Sequence, residues 1–179
     1  DRVLISATGY TGSGGYELYI PNEGAEKIWN SLIQNGAEPC GLAARNTLRI
    51  EMGYCLYGND IDDTTSPLSA GLSWCTAFSK DFVSKDQIEQ QKEAGIPKKR
   101  VGFVLNERGI PRQGYALADE SGNDIGIVTS GTQSPSLEKG IGMGYIDREQ
   151  AIVGNTIYVV IRNKQVPATI TSLPFYHAQ

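Results

Sequence analysis

Ile96-Pro97-Lys98-Lys99-Arg100-Val101-Gly102-Phe103-Val104-Leu105 divides the chain. A basic, proline-containing stretch gives way here to a β-favouring run, and downstream of it helical periodicity all but disappears. Short β-rich runs follow over 101–105, 114–119, 124–129, 142–146, 156–161 and 168–173. Turn residues such as Ser121-Gly122-Asn123 and Arg162-Asn163-Lys164 separate them. Several short strands at this spacing predict a small antiparallel barrel or sandwich. The polar stretches 109–115 and 129–136 read as dense turns. A boundary therefore falls near 95–98, with an α+β unit over 1–95 and an all-β unit over 98–179.

Upstream of the boundary the pattern changes period. Val3-Leu4-Ile5 and Tyr16-Glu17-Leu18-Tyr19-Ile20 read as two strands around a turn crowded with Gly9, Gly12, Gly14 and Gly15. In the second strand Tyr16, Leu18 and Ile20 share one face, and Glu17 and Tyr19 the other. Asn22 is placed to cap a helix running to about Asn35, with Ile28/Leu32 and Trp29/Ile33 as its apolar stripe. Gly36 fits the left-handed residue that closes such a helix. A second helix fits Leu42 to Met52, with Ala44, Leu48, Met52 and Cys55 expected to face a core and Gly53 to end it. A strand is expected around Leu72 to Phe78. Ser84 with Gln87 predicts a capping box on a polar helix ending near Gly95.

Composition narrows the function classes. The chain has 179 residues, 16 Lys+Arg against 20 Asp+Glu, and a net charge of -4, which argues against a general nucleic-acid binder. No apolar run approaches the roughly 18–20 residues of a membrane helix. Its 21 glycines, about 12% against a background of ~7%, predict many tight turns. Three widely spaced cysteines without C-x-x-C, and a single histidine, predict a reduced intracellular protein without a structural zinc. The first residue is Asp rather than Met and leads straight into a strand-like run, so the chain reads as beginning inside a fold.

Few residues invite chemistry. No nucleophile-plus-base set and no Walker motif occurs, and the early glycines do not form G-x-G-x-x-G. His177 reads as a solvated tail residue. Glu17 is an acid within an aromatic and aliphatic strand, where acids are depleted. It is either a solvent carboxylate on an edge strand or a carboxylate facing a cavity, where desolvation demands a partner with adjacent N–H donors. Arg45 and Arg49 flank the stripe of the second helix. They are either flank residues with buried stems and wet heads, or one of them forks onto a carboxylate or polar ring edge. Glu51, Asp60, Asp62 and Asp63 are available as intramolecular partners.

Several segments, taken together and in order, resemble one family. They are Thr8-Gly9-Tyr10-Thr11-Gly12 with Tyr16-Glu17-Leu18, Gly41-Leu42-Ala43-Ala44-Arg45-Asn46-Thr47-Leu48-Arg49-Ile50-Glu51, and Leu56-Tyr57-Gly58-Asn59-Asp60-Ile61. Arg108-Gly109-Ile110-Pro111-Arg112, Val128-Thr129-Ser130-Gly131-Thr132 and Pro174-Phe175-Tyr176 continue the match. The family is the glycine cleavage system T-protein, or aminomethyltransferase, and the resemblance covers its C-terminal half. Departures flank the motifs. Ala7 stands where arginine is common, Ser13-Gly14 where an acidic pair is frequent, and Asn46 where aspartate is usual. Thr64-Thr65-Ser66-Pro67 also differs from the usual order.

The resemblance implies a partial ferredoxin-like α+β domain over 1–95, part of the folate-binding body, followed by a small antiparallel β-barrel over 98–179. It implies transfer of a methylene group from aminomethyl-lipoate on the H-protein to tetrahydrofolate, with release of ammonia. Glu17 matches the carboxylate that binds the pterin, Arg45 the folate-binding arginine, and Tyr176 a tyrosine near the ligand. The family's catalytic aspartate belongs to the N-terminal half, so no catalytic residue is named here and the isolated chain is expected to be inactive. The implied partners are lipoylated H-protein and tetrahydrofolate, with no nucleic acid, membrane or metal. The implied location is the bacterial cytoplasm, or the mitochondrial matrix for a eukaryotic parent. Two alternatives are a non-catalytic folate-binding relative, such as the iron–sulfur repair proteins of this fold, and the folate domain of a dimethylglycine- or sarcosine-type dehydrogenase.

Overall fold

The computed structural model describes residues 2–177; Asp1, Ala178 and Gln179, at the outer ends of the two expected domains, lie outside the described residues. Two strands, β1 (Leu4–Ser6) and β2 (Glu17–Tyr19), form an antiparallel pair with Ser6 opposite Glu17. Helix α1 (Asn22–Gln34) follows Pro21 directly, and Asn22 is its first residue rather than its cap. Gly36 adopts φ 93°, and the amides of Gly36 and Ala37 return to the carbonyls of Ile33 and Leu32, each at 3.0 Å. That pair of bonds is the glycine-closed helix end expected from the sequence. The apolar stripe of α1 is open to solvent, with Trp29 54% and Leu32 43% exposed.

Helix α2 (Leu42–Glu51) is rotated from the expected setting. Ala44 and Leu48 are exposed, while Arg49, Ile50 and Glu51 are buried. The expected strand over 72–78 is instead one 3-10 turn at Ser73–Cys75. Helix α3 (Lys85–Ala94) has Ser84 at its cap position, but Ser84 lies at φ 66° and its hydroxyl makes no capping bond. The expected capping box is therefore not formed.

Six antiparallel strands build the remainder. They are β3 (Lys98–Leu105), β4 (Ala116–Ala118), β5 (Asp124–Ser134), β6 (Lys139–Asp147), β7 (Thr156–Ile161) and β8 (Lys164–Thr171). They close into a barrel in the order β3-β6-β5-β4-β7-β8, with β8 returning to β3. The class is α+β, a small α+β unit followed by an antiparallel barrel. Inward side chains including Phe103, Leu117, Ile146, Ile157, Val159 and Ile170 fill the barrel. In a barrel this small the side chains themselves occupy the interior, so it is a core and not a channel.

Strand β5 continues through 130–134, which sequence reading gave to a turn. Gly131 is needed there because a Cβ would stand 2.5 Å from the carbonyl oxygen of Pro111. A second apolar cluster lies between α2 and the barrel. Ile50 packs with Ile141 and Met143, and Leu173 and Phe175 of the tail cover them. This contact fixes α2 relative to the barrel.

Candidate functional site

The loop joining β1 to β2 contacts Glu17 and Arg45 and shares a cleft with Tyr176, the three residues singled out as ligand-binding. Glu17 is the first residue of β2 and is exposed. Its Oε2 accepts a hydrogen bond from the Thr8 hydroxyl, and Thr8 Oγ1 also lies 2.9 Å from Ser6 Oγ. Two residues further along the loop, the ring of Tyr10 lies beneath Arg45, whose guanidinium carbon is 4.5 Å from the ring centroid. Tyr10 stacks in turn on Tyr54, with centroids 5.8 Å apart and planes at 25°. The Tyr10 hydroxyl donates to the carbonyl of Cys55. Burial pushes the Tyr10 phenol above its ordinary value, and Arg49 and Arg45 pull against it. Tyr10 therefore remains a neutral donor at physiological pH.

Further along the same loop, Thr11, Gly12 and Ser13 form one wall of a cleft of about 400 Å³. Leu48, Glu51 and Met52 of α2 and its end form another wall, and Tyr176 and His177 of the tail complete it. Gly12 is required at this point. It adopts φ 76°, and a Cβ there would stand 2.3 Å from the Met52 side chain. The tail is held in place by the amides of Phe175 and Tyr176, which donate to the Glu51 carbonyl at 2.8 and 3.2 Å.

Glu17 and Arg45 are thus tied to one loop, and both are open to solvent rather than sealed in a hollow. Among the described residues neither forms an ion pair. Arg49, paired with Arg45 by sequence reading, behaves differently. It is 2% exposed, and each of its three guanidinium nitrogens donates within the protein. Nη1 donates to Asp60 Oδ2 at 2.8 Å and to the Tyr54 carbonyl at 3.0 Å. Nη2 donates to Ser130 Oγ at 2.9 Å, and Nε to Asn46 Oδ1 at 2.8 Å. Asp60 also accepts from Thr129 at 2.5 Å and from the Leu56 amide and Ser130, both at 2.9 Å. Four of the five guanidinium N–H groups are thus taken inside the protein, and at 2% exposure Arg49 is closed to a ligand arriving from solvent.

Glu51 is likewise a structural acid. It accepts from the hydroxyls of Ser134 at 2.5 Å and Ser136 at 3.0 Å. Asp60 was one of the acids the sequence offered as a partner for Arg45 and Arg49, and Arg49 takes it; Thr129 and Ser130 were not legible, because the residues they bond lie far earlier in the chain. Arg100 completes the junction, donating to the carbonyls of Ala70 and Gly53 at 2.8 and 3.0 Å. Arg100 also lowers the Cys55 thiol, but burial outweighs it and the thiol titrates above its ordinary value.

A two-stranded α+β unit buttressed on a closed six-stranded barrel is the architecture these contacts define. Residues 1–80 match the family model described as the GCVT N-terminal domain, and residues 98–177 match that of the glycine cleavage T-protein C-terminal barrel domain. The chain belongs to the glycine cleavage T-protein, or aminomethyltransferase, family. It is 54% identical to an aminomethyltransferase of Flavobacterium psychrophilum, over 97% of this chain and 49% of that protein. An aminomethyltransferase of Bacteroides thetaiotaomicron is 50% identical over 98% of this chain and 50% of its own length. The crystal structure of glycine cleavage system aminomethyltransferase T from Bartonella henselae superposes with a TM-score of 0.92 at 34% identity. That match covers 97% of this chain and 50% of that one. The chain spans about half the length of the curated relatives it matches.

Proposed function

We propose that this chain is the C-terminal portion of an aminomethyltransferase of the glycine cleavage system. The parent would take the methylene of aminomethyl-lipoate, carried on the H-protein, and pass it to tetrahydrofolate. The carbon leaves both the lipoyl sulfur and the amine nitrogen, so the dihydrolipoyl arm and ammonia are released as 5,10-methylenetetrahydrofolate forms. In this reading residues 1–95 are the returning part of the folate-binding body and 98–179 the C-terminal barrel. The relatives cited, all named aminomethyltransferase, favour this reading over a folate-binding protein without transferase activity. No helix among the described residues is long and apolar enough to cross a membrane. A bacterial parent would work in the cytoplasm, and a eukaryotic one in the mitochondrial matrix.

The observation that carries the proposal is the shared loop, which bonds Glu17 through Thr8 and supports Arg45 on Tyr10. A carboxylate offers about four acceptor sites, and one bond from Thr8 leaves capacity for two more donors. The pterin edge presents an exocyclic amine beside a ring N–H, which fits a carboxylate in bidentate fashion. Arg45 keeps its N–H fork free above an aromatic face, as needed to receive a carboxylate of the folate glutamate tail. Tyr176 would approach the same ligand from the cleft on the other flank of the loop. These residues bind and orient, and the chemistry they serve depends mainly on holding two reactants in register. No residue of this chain is assigned the proton transfer itself.

The test is ammonia release by the full-length parent supplied with aminomethyl-lipoyl H-protein and tetrahydrofolate. Release is expected from the parent and not from this chain alone. A parent that binds both substrates and releases no ammonia overturns the proposal.

A further inference from the structure

We propose that the buried Arg49–Asp60 pair is a positioning device for Arg45, acting through the backbone of the turn that carries Tyr54. The inference rests on the folate reading above and deepens it. It makes two residues with no access to ligand determinants of how the ligand-facing guanidinium is held.

The links are all short. Arg49 lies one helical turn beyond Arg45, so the two project from the same side of α2. Arg49 Nη1 bridges the Asp60 carboxylate and the Tyr54 carbonyl, at 2.8 and 3.0 Å. Asp60 Oδ2 holds the Leu56 amide at 2.9 Å. Between these anchors the Cys55 carbonyl accepts from Tyr10. The turn after α2 is thereby fixed at three successive residues, two of them by the ion pair. The Tyr54 ring above that turn stacks on Tyr10, and Tyr10 is the surface on which Arg45 rests. Thr129 and Ser130 anchor the pair to β5, so the rigid barrel is the reference frame for the whole series.

A buried ion pair is a poor stabiliser in itself, because the desolvation of two charges offsets most of their attraction. An apolar pair could cement α2 to the barrel equally well. It could not hold a backbone carbonyl and a backbone amide of the next turn at the same time. That double hold is what the ion pair adds, and its consequence falls on Tyr54, Tyr10 and Arg45.

The experiment is a double-mutant cycle on tetrahydrofolate affinity in the full-length protein, with Asp60→Asn, Arg45→Ala and both together, and with thermal midpoints taken in parallel. Asp60→Asn is expected to weaken folate binding about tenfold, equivalent to ~1.4 kcal/mol. In the Arg45→Ala background it is expected to add nothing to that loss while still lowering the thermal midpoint. Equal losses in both backgrounds overturn the proposal, because Asp60 would then not act through Arg45. An Arg45→Ala variant with native folate affinity removes the folate reading itself and this inference with it. If Asp60→Asn does not fold, Ser130→Ala, which deletes one hydroxyl shared by both ions, serves in the same cycle with a smaller effect expected. A second readout is the nuclear magnetic resonance signal of the Arg45 side-chain Nε–H. The Tyr10 ring should shift it upfield in the native protein, and the shift should shrink in Ser130→Ala; an unchanged shift counts against the proposal.

Discussion

Arg49 Nη1 and Asp60 Oδ2 meet at 2.8 Å, and neither side chain is more than 2% exposed. Each guanidinium nitrogen and both carboxylate oxygens are bonded, their further partners being Asn46, Ser130, Thr129 and backbone. Truncating Asp60 to alanine leaves a desolvated guanidinium without its counter-charge. The expected cost is about 3–5 kcal/mol. Equilibrium urea unfolding of the purified protein measures it. A loss below about 1 kcal/mol would show that water enters and resolvates Arg49.

The same pair explains where sequence reading stopped. Helix α2 was legible as a helix, and its ending at Gly53 was too, since Gly53 adopts φ 69° and the Tyr54 amide returns to the Arg49 carbonyl. Its buried face was not. Periodicity favoured Ala44 and Leu48, and the structure buries Arg49 and Glu51 instead. Burying ions is acceptable only with partners; Asp60 was in view as one, but Ser130 and Ser134 are supplied by tertiary contacts that no local window contains. The end of β5 was missed for the mirror-image reason. Thr129-Ser130-Gly131 looks like a turn, but its hydroxyls bond the Arg49–Asp60 pair and its glycine admits Pro111. By contrast β7 spans Thr156–Ile161 as expected, because a β-branched strand over a barrel core needs only its own pattern. Glu17 and Arg45 were legible as odd residues; that one loop serves both appears only in the fold.

Barrel closure depends on glycine at specific points. A Cβ on Gly126 would stand 1.9 Å from the Tyr145 carbonyl oxygen and 2.9 Å from the Ile146 Cα, both backbone atoms that cannot swing aside. Gly126→Ala is expected to destabilise by at least the 1–3 kcal/mol, roughly, of an overpacked core. Gly14→Ala, with no heavy atom within 4 Å of the new carbon, should change stability by less than about 0.5 kcal/mol. Denaturant midpoints of the two variants compare them directly. Equal midpoints would mean that β5 and β6 can separate without penalty.

Tyr145 links the barrel to the Asp60 turn, donating its hydroxyl to the Asp60 carbonyl at 2.8 Å. Burial pushes its phenol from an ordinary value of 10.0 up to about 12, with Arg100 opposing. Between those values the unfolded chain has released a proton that the folded chain retains. The unfolded state then binds fewer protons, so stability falls as pH rises through that window. The contribution is whole below pH 10.0 and is lost as pH passes about 12. Tyr145→Phe should remove this part of the alkaline loss and cost about 1 kcal/mol at neutral pH, where the Asp60 carbonyl loses its donor. Urea midpoints across alkaline pH, followed with phenolate absorbance, report both effects. Identical pH profiles for the two proteins would place the titration elsewhere.

Glu17 is the residue at which the folate reading is most exposed to failure. Its carboxylate is open to solvent and has the Thr8 hydroxyl as its donor, so the folded state asks little of its charge. Glu17→Gln should therefore leave the thermal midpoint of the full-length protein unchanged. A ligand that offers two adjacent N–H groups would notice the change at once. One of the two acceptors it meets becomes a donor, and the negative charge that strengthened both bonds is gone. The expected loss in tetrahydrofolate affinity by calorimetry is about 1–3 kcal/mol, or roughly five- to 150-fold. Thr8→Ala should produce a smaller loss in the same direction, since it frees the carboxylate to rotate without altering its charge. Native affinity in Glu17→Gln would make the residue an ordinary surface acid, and Arg45 alone could not define a pterin site.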